Sequence, residues 1–141
     1  MLDRSTLPSV QEVLFATSRD VQAIDLTDLL GEVPMADGFV WLSTPHTTGA
    51  LLVYESDPEM LEDLERVGRE LFAPFEPFKH RKNDNPNAAA HLMSSFLGSQ
   101  LVLPVRDGRP ILGTFQRILF LELDGPRDRR LLVAPMSGER V

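Results

Sequence analysis

The sequence predicts an α+β domain made mainly of antiparallel strands. Several strand-length runs rich in β-branched and aromatic residues are broken by turn signals, two segments repeat apolar residues at helical spacing, and the last third reads as strands alone. The elements follow in order. Val10–Thr17 and Val21–Leu26 are β-compatible runs around the polar Ser18-Arg19-Asp20, the pattern of a hairpin. Thr27 is placed to cap a short helix through Leu30, closed by Gly31. Gly38–Thr44 and Ala50–Glu55 are two further strands, joined by Pro45-His46-Thr47-Thr48-Gly49.

Asp57-Pro58 starts a helix in the usual way, with an acceptor at the N-cap and Pro in the first turn. Met60, Leu61, Leu64, Val67 and Leu71 form its apolar stripe, and the acidic residues between them face water. The connection 73–87 holds Pro74, Pro77 and Pro86 and a polar run from Lys79 to Asn85, and loops of that length inside a domain are commonly functional. A second helix spans Ala88–Leu97 and stops at Gly98, with Leu92, Phe96, Met93 and Leu97 apolar and His91 on the small-residue side. Leu101–Arg106 and Arg109–Leu112 flank Asp107-Gly108, a strong two-residue turn. Thr114–Asp124 and Arg129–Ala134 complete the strands; Gln116, Glu122 and Thr114 share one face of the former.

The 141 residues suit a single domain over 1–141, large enough for a core of its own. Twenty-one acidic against 14 basic residues give a net charge of −7, which argues against nucleic acid or an anionic membrane as the main partner. No cysteine is present, so disulfides, thiolate nucleophiles and cysteine metal sites are excluded. The start of the chain carries Asp3 and Arg4 and no long apolar run, and no apolar stretch approaches the ~20 residues of a membrane helix, so a cytoplasmic protein without a signal peptide is expected.

Phosphate-loop, dinucleotide, nucleophile-elbow and zinc-protease motifs are absent, and no nucleotide or haem cofactor is expected. The three histidines remain. His46 sits in a strand-to-strand loop, His80 in the long polar loop and His91 near a helix start, none on an apolar stripe. Three neutral imidazoles can hold zinc or a similar ion with a position left open, and the helix start beside His91 favours its neutral form. Capping or surface roles explain each of them singly. Arg127, Arg129 and Arg130 are able to bind phosphate, although near a chain end such residues are more often solvated charges.

Pro45-His46-Thr47-Thr48-Gly49, Glu55-Ser56-Asp57-Pro58, His80 with Asn87-Ala88-Ala89-Ala90-His91-Leu92, Leu97-Gly98-Ser99, Pro104-Val105, Leu112-Gly113-Thr114-Phe115-Gln116, Glu122 and Asp124-Gly125-Pro126-Arg127 occur in one order. That series resembles the YjbQ-like family, often called secondary thiamine-phosphate synthase, over nearly the whole chain. Phe115 stands where the family usually has Trp, so an aromatic is kept. The resemblance implies two packed sheets in a sandwich-like α+β fold with two main helices, assembled as a homotrimer. It implies His46, His80, Asn87, His91 and Gln116 as catalytic candidates, and the joining of a pyrimidine diphosphate to a thiazole phosphate with release of pyrophosphate. Diphosphate departure needs positive charge. A divalent ion (zinc or magnesium) on His46, His80 and His91 would supply it, with Lys79, Arg81 or Lys82 nearby and Thr47 and Thr48 donating to phosphate. Asp84 is the one acid of the polar loop, so an Asp-rich magnesium motif is missing. Three readings follow: a transferase of that type, a metal-dependent hydrolase or lyase of a phosphorylated metabolite, and a non-catalytic trimer that binds a small ligand.

Overall fold

The structure is a computed structural model that describes residues 9–33, 35–81 and 85–136; Asp3, Arg4, Lys82 and Asp84 lie outside the described residues. Chain order is β1 (Gln11–Ala16), β2 (Gln22–Asp25), α1 (Thr27–Leu30), β3 (Gly38–Ser43), β4 (Gly49–Glu55), α2 (Pro58–Glu70), α3 (Ala88–Leu97), β5 (Gln100–Arg106), β6 (Arg109–Pro110), β7 (Gln116–Glu122) and β8 (Asp128–Met136). The strands form two antiparallel sheets. One has five strands in the order β1-β8-β3-β5-β6, the other three in the order β2-β7-β4.

Alternation along β7 fixes the layering. Ile118 and Phe120 turn toward the five-stranded sheet and pack with Leu26, Val40, Leu42, Leu51, Leu131 and Val133. Leu119, Leu121 and Leu123 turn the other way, onto Leu64 of α2 and Ala90 and Met93 of α3. The three-stranded sheet is therefore covered on both faces, which is why Ile118–Glu122 is an unbroken buried run. Phe120 is fully buried and meets Phe15 edge to face at 5.1 Å between centroids. A Cβ at Gly49 would collide with the Phe120 ring, so the motif around His46 has to end in glycine.

Several sequence expectations change. The runs around Ser18-Arg19-Asp20 are not a hairpin: β1 pairs with β8 and β2 with β7, in different sheets. The crossing is held by the Thr17 backbone N–H donating to the Arg127 carbonyl at 2.9 Å. Thr27 is the first residue of α1 rather than its cap, and its hydroxyl accepts from the Ile118 backbone N–H at 2.8 Å. Thr114 precedes β7, and although Gln116 and Glu122 share a face of it, Gln116 is exposed and Glu122 fully buried. On α2, Leu64 and Gly68 are buried while Val67 and Leu71 lie open, and on α3 Phe96 is 75% exposed. The N-cap of α2 is as expected, with the Asp57 side chain accepting from the Met60 N–H at 3.3 Å. The Asp107-Gly108 turn has positive φ at both residues, 51° and 76°, the geometry of the tight turn joining β5 and β6. The outer face of the five-stranded sheet carries open apolar side chains, with Leu14 72%, Phe39 48% and Val102 55% exposed, beside the exposed Arg130–Glu12 ion pair at 3.0 Å.

One polar contact closes the sandwich at the end near Thr48. Glu122 of β7 and Arg129 of β8 face inward from opposite sheets, with side-chain exposures of 0% and 4%, and form an ion pair. The Arg129 Nε donates to Glu122 Oε2 at 2.7 Å, and the Thr17 hydroxyl adds a hydrogen bond to the same oxygen at 3.0 Å. The Leu123 and Asp124 backbone N–H groups donate to Oε1 at 3.1 and 2.9 Å. Burial would raise the Glu122 carboxyl; the hydrogen bonds from Arg129 and Asp124 outweigh it and hold the group below the usual carboxylate range. Removing one partner strands a buried charge, which costs about 3–5 kcal/mol, whereas a well-packed apolar replacement of both is far less costly. Arg129→Met is therefore expected to lose about 3–5 kcal/mol in urea unfolding and Glu122→Leu/Arg129→Met clearly less; equal losses would contradict the pair's role.

Candidate functional site

The site lies above this ion pair, where the loop from β3 to β4, the start of α3 and the turn from β7 to β8 meet. Together they enclose a polar hollow of about 290 Å³, with His46, Thr48, Asn87, His91, Arg127 and Arg129 in its wall and Asp124 beside Asn87. The hydrogen bonds assign each ring nitrogen a role. His46 Nε2 accepts from the Arg130 backbone N–H at 3.1 Å, so the neutral ring carries its proton on Nδ1. His91 Nδ1 lies 3.0 Å from the Thr47 carbonyl, which can only accept, so Nδ1 holds the proton and Nε2 keeps its lone pair.

His80 stands against His91, ring centroids 5.2 Å apart at 85°. Its Nε2 meets Asn87 Oδ1 at 3.2 Å, and the Asn87 amide donates on to Asp124 Oδ2 at 3.0 Å. That order makes Oδ1 the acceptor and His80 Nε2 the donor. Asn87 precedes α3 but makes no side-chain cap, its amide being committed to this chain instead. Asp124 also accepts from Asn85 at 3.1 Å and from Arg127 at 2.8 Å. Burial alone would raise the Asp124 carboxyl, and the amides of Asn87 and Asn85 with Arg127 hold it below the usual value. A Cβ at the following Gly125 would collide with the Arg19 carbonyl, so this turn requires glycine.

The hollow's cations are Arg127 and Arg129. Arg129 is buried, not the solvated charge that the sequence suggests. Its Nη2 donates to Thr48 Oγ1 at 2.9 Å, its Nε to Glu122, and its Nη1 has no hydrogen bond among the described residues. The buried guanidinium thus keeps one donor group unspent at the wall of the hollow. Lys79 and Arg81 stand elsewhere. Lys79 borders a neighbouring groove, and Arg81 turns its Nε to the Phe78 carbonyl at 2.9 Å. Thr48 acts through Arg129, and Thr47 through its carbonyl on His91.

Gln116 is placed apart from the others. Six residues of extended chain separate it from Glu122, about 20 Å, and its Oε1 accepts from the Gly113 N–H at 2.7 Å. Two of the three rings keep a lone pair while the scaffold holds the other nitrogen, as an imidazole ligand requires: His91 at Nε2 and His80 at Nδ1. His46 instead spends its Nε2 lone pair on the Arg130 N–H, and no group of three His, Asp or Glu side chains is placed to hold an ion among the described residues, so the three rings as they stand do not make a complete three-histidine centre.

The sequence names Arg129 among residues able to bind phosphate but reads it as solvated, and it does not mark Asp124 as a site residue. The available signal was a charge within an apolar run: Glu122 follows Ile118–Leu121, and Arg129 precedes Leu131–Ala134 on the inward parity of its strand. Charges in such positions must be paired, and the pairing locates the site.

Residues 11–138 match the family described as UPF0047 protein YjbQ-like. A UPF0047 protein of Archaeoglobus fulgidus is 44% identical over 86% of this chain and 97% of its own. The YugU protein of Bacillus subtilis is 35% identical over 86% and 93%. Among solved structures, a hypothetical protein of Aeropyrum pernix is 37% identical with a TM-score of 0.79, over 92% of this chain and 99% of that one. A protein of unknown function from Sulfolobus solfataricus is 31% identical with a TM-score of 0.82, over 92% and 97%.

Burial first, then the charges of Arg129 and Arg130, push His46 below its ordinary value of 6.5, so the folded protein binds its proton less readily than the unfolded chain. Stability from this ring is complete above pH 6.5 and is lost as pH falls through the folded value. Urea unfolding between about pH 7 and 5 should show a smaller loss of stability for His46→Gln than for the wild type; identical slopes would contradict the neutral, accepting His46.

Proposed function

The chain belongs to the YjbQ-like UPF0047 family, and from that premise we propose that it is an enzyme acting on a small phosphorylated metabolite in the polar hollow. The observation that carries this reading is that two residues lining the hollow each keep a polar group without a hydrogen bond among the described residues: the Nη1 of the buried Arg129 and the Nε2 of His91. Arg129 and Arg127 offer fixed positive charge where phosphate oxygens gather charge, which is worth most in a partly enclosed site. His91 has its ring orientation set by the Thr47 carbonyl and presents Nε2 for proton transfer. His80, tied through Asn87 to Asp124, holds the adjacent wall.

The reaction implied by the resemblance fits these groups. The bond from the pyrimidine-bearing carbon to the diphosphate oxygen breaks and the thiazole nitrogen bonds to that carbon; pyrophosphate leaves with its charge against the two arginines, while His91 Nε2 takes a proton from the electron-poor pyrimidine and returns it once the new bond has formed. No step requires an ion held by the three rings. Removing a general acid–base group costs roughly 10²–10⁴-fold. His91→Asn is expected to lower pyrophosphate release from a pyrimidine diphosphate and a thiazole phosphate by about that factor while unfolding at the wild-type temperature. Unchanged release in His91→Asn would overturn the role of His91, and none from the wild type would remove the transferase.

The same proposal includes the homotrimer. Its support is the open apolar face carrying Leu14, Phe39 and Val102, which one small domain leaves uncovered. Sedimentation equilibrium should give the mass of three chains, and Leu14→Lys/Val102→Lys a smaller species; a monomeric wild type at micromolar concentration would contradict it.

A further inference from the structure

A second concavity adjoins the hollow on the far side of His91. It has a volume of about 360 Å³, and Phe78, Ala88 and Leu92 give it mainly carbon walls, with His80 and His91 along one border and Lys79 at its edge. His91 lines both spaces, so the two meet at the ring whose Nε2 is free. Neither is an ordinary ligand site alone. Such sites are mostly apolar, hold a few convergent polar groups and span about 300–1,000 Å³. The hollow supplies the polar groups without the apolar wall, and the groove supplies the wall without the convergent donors.

Resting on the reading of the hollow as a phosphate site, we propose that one ligand spans both: a phosphate monoester whose phosphate meets Arg129 and Arg127 and whose compact hydrophobic group lies in the groove against Leu92 and Phe78. The occupant of the groove is the organic part of the same molecule, since an apolar patch continuous with an anion site is covered by a ligand that carries both. The bond between phosphate and organic group is thereby brought beside the His80–His91 pair. Specificity for the organic group then comes from Leu92 and Phe78, and retention of the phosphate from the arginines.

The test is titration calorimetry of the full chain at fixed ionic strength with inorganic phosphate and with phenyl phosphate. Phenyl phosphate should bind about tenfold tighter or more, from burial of part of its ring. Leu92→Gln should abolish that advantage and leave inorganic phosphate unchanged. Phe96→Gln, one turn further along α3 and 75% exposed in the wild type, should alter neither. If inorganic phosphate binds and phenyl phosphate gains nothing, or keeps its gain in Leu92→Gln, the spanning ligand is overturned and the hollow stands as a phosphate site. If neither probe binds, the reading of the hollow fails, and the spanning ligand with it.

Discussion

Two opposite charges taken out of water must find each other, and here that requirement joins the two sheets. Glu122 and Arg129 come from different sheets, Glu122 at the end of the apolar run Ile118–Leu121 and Arg129 on the inward side of its strand with Leu131 and Val133, and neither could remain there alone. Their contact sets the distance between β7 and β8 at one end of the sandwich. The Thr17 and Thr48 hydroxyls satisfy further positions on the pair, which ties the crossings from β1 to β2 and from β3 to β4 to the same point. Phe120 lies under the guanidinium, its ring centroid 5.8 Å from Arg129 Cζ, so the polar cluster rests directly on the apolar core.

From this anchor the site follows by short covalent and hydrogen-bonded steps. Asp124 is two residues beyond Glu122 and takes its place from the turn that Glu122 caps. Asp124 holds Asn87, Asn87 holds His80, and the loop that carries Thr48 also carries the Thr47 carbonyl that orients His91. Each ring therefore has one nitrogen committed to the scaffold. The division between a donor-rich hollow and a carbon-lined groove falls along that row of imidazoles.

Much of the fold was legible in the sequence, because it is written in local signals: the Asp57-Pro58 start of α2, the Gly98 stop of α3, the Asp107-Gly108 turn and the strand-like runs. What local signals do not carry is which strand pairs with which. Ser18-Arg19-Asp20 has the composition of a hairpin turn, but β1 and β2 part into different sheets because their partners, β8 and β7, lie roughly a hundred residues downstream. In the candidate site, the histidines and Asn87 were visible as polar residues at element boundaries. Arg129 was visible only as one of three arginines able to bind phosphate and was read as solvated, since nothing local says that its side chain faces inward. Gln116 and Glu122 share a strand and a parity, and sequence alone could not say that six residues of extended chain carry them to opposite ends.

Nuclear magnetic resonance of the side-chain nitrogens of His, Arg, Lys and Gln during a titration with inorganic phosphate tests the central claim most directly. The account predicts that His46 and His91 are protonated on Nδ1 at neutral pH and that phosphate shifts the signals of His91 and Arg129 while leaving Gln116 unmoved. Shifts confined to Lys79 and Arg81, or proton placement on Nε2 of His46 and His91, would contradict it.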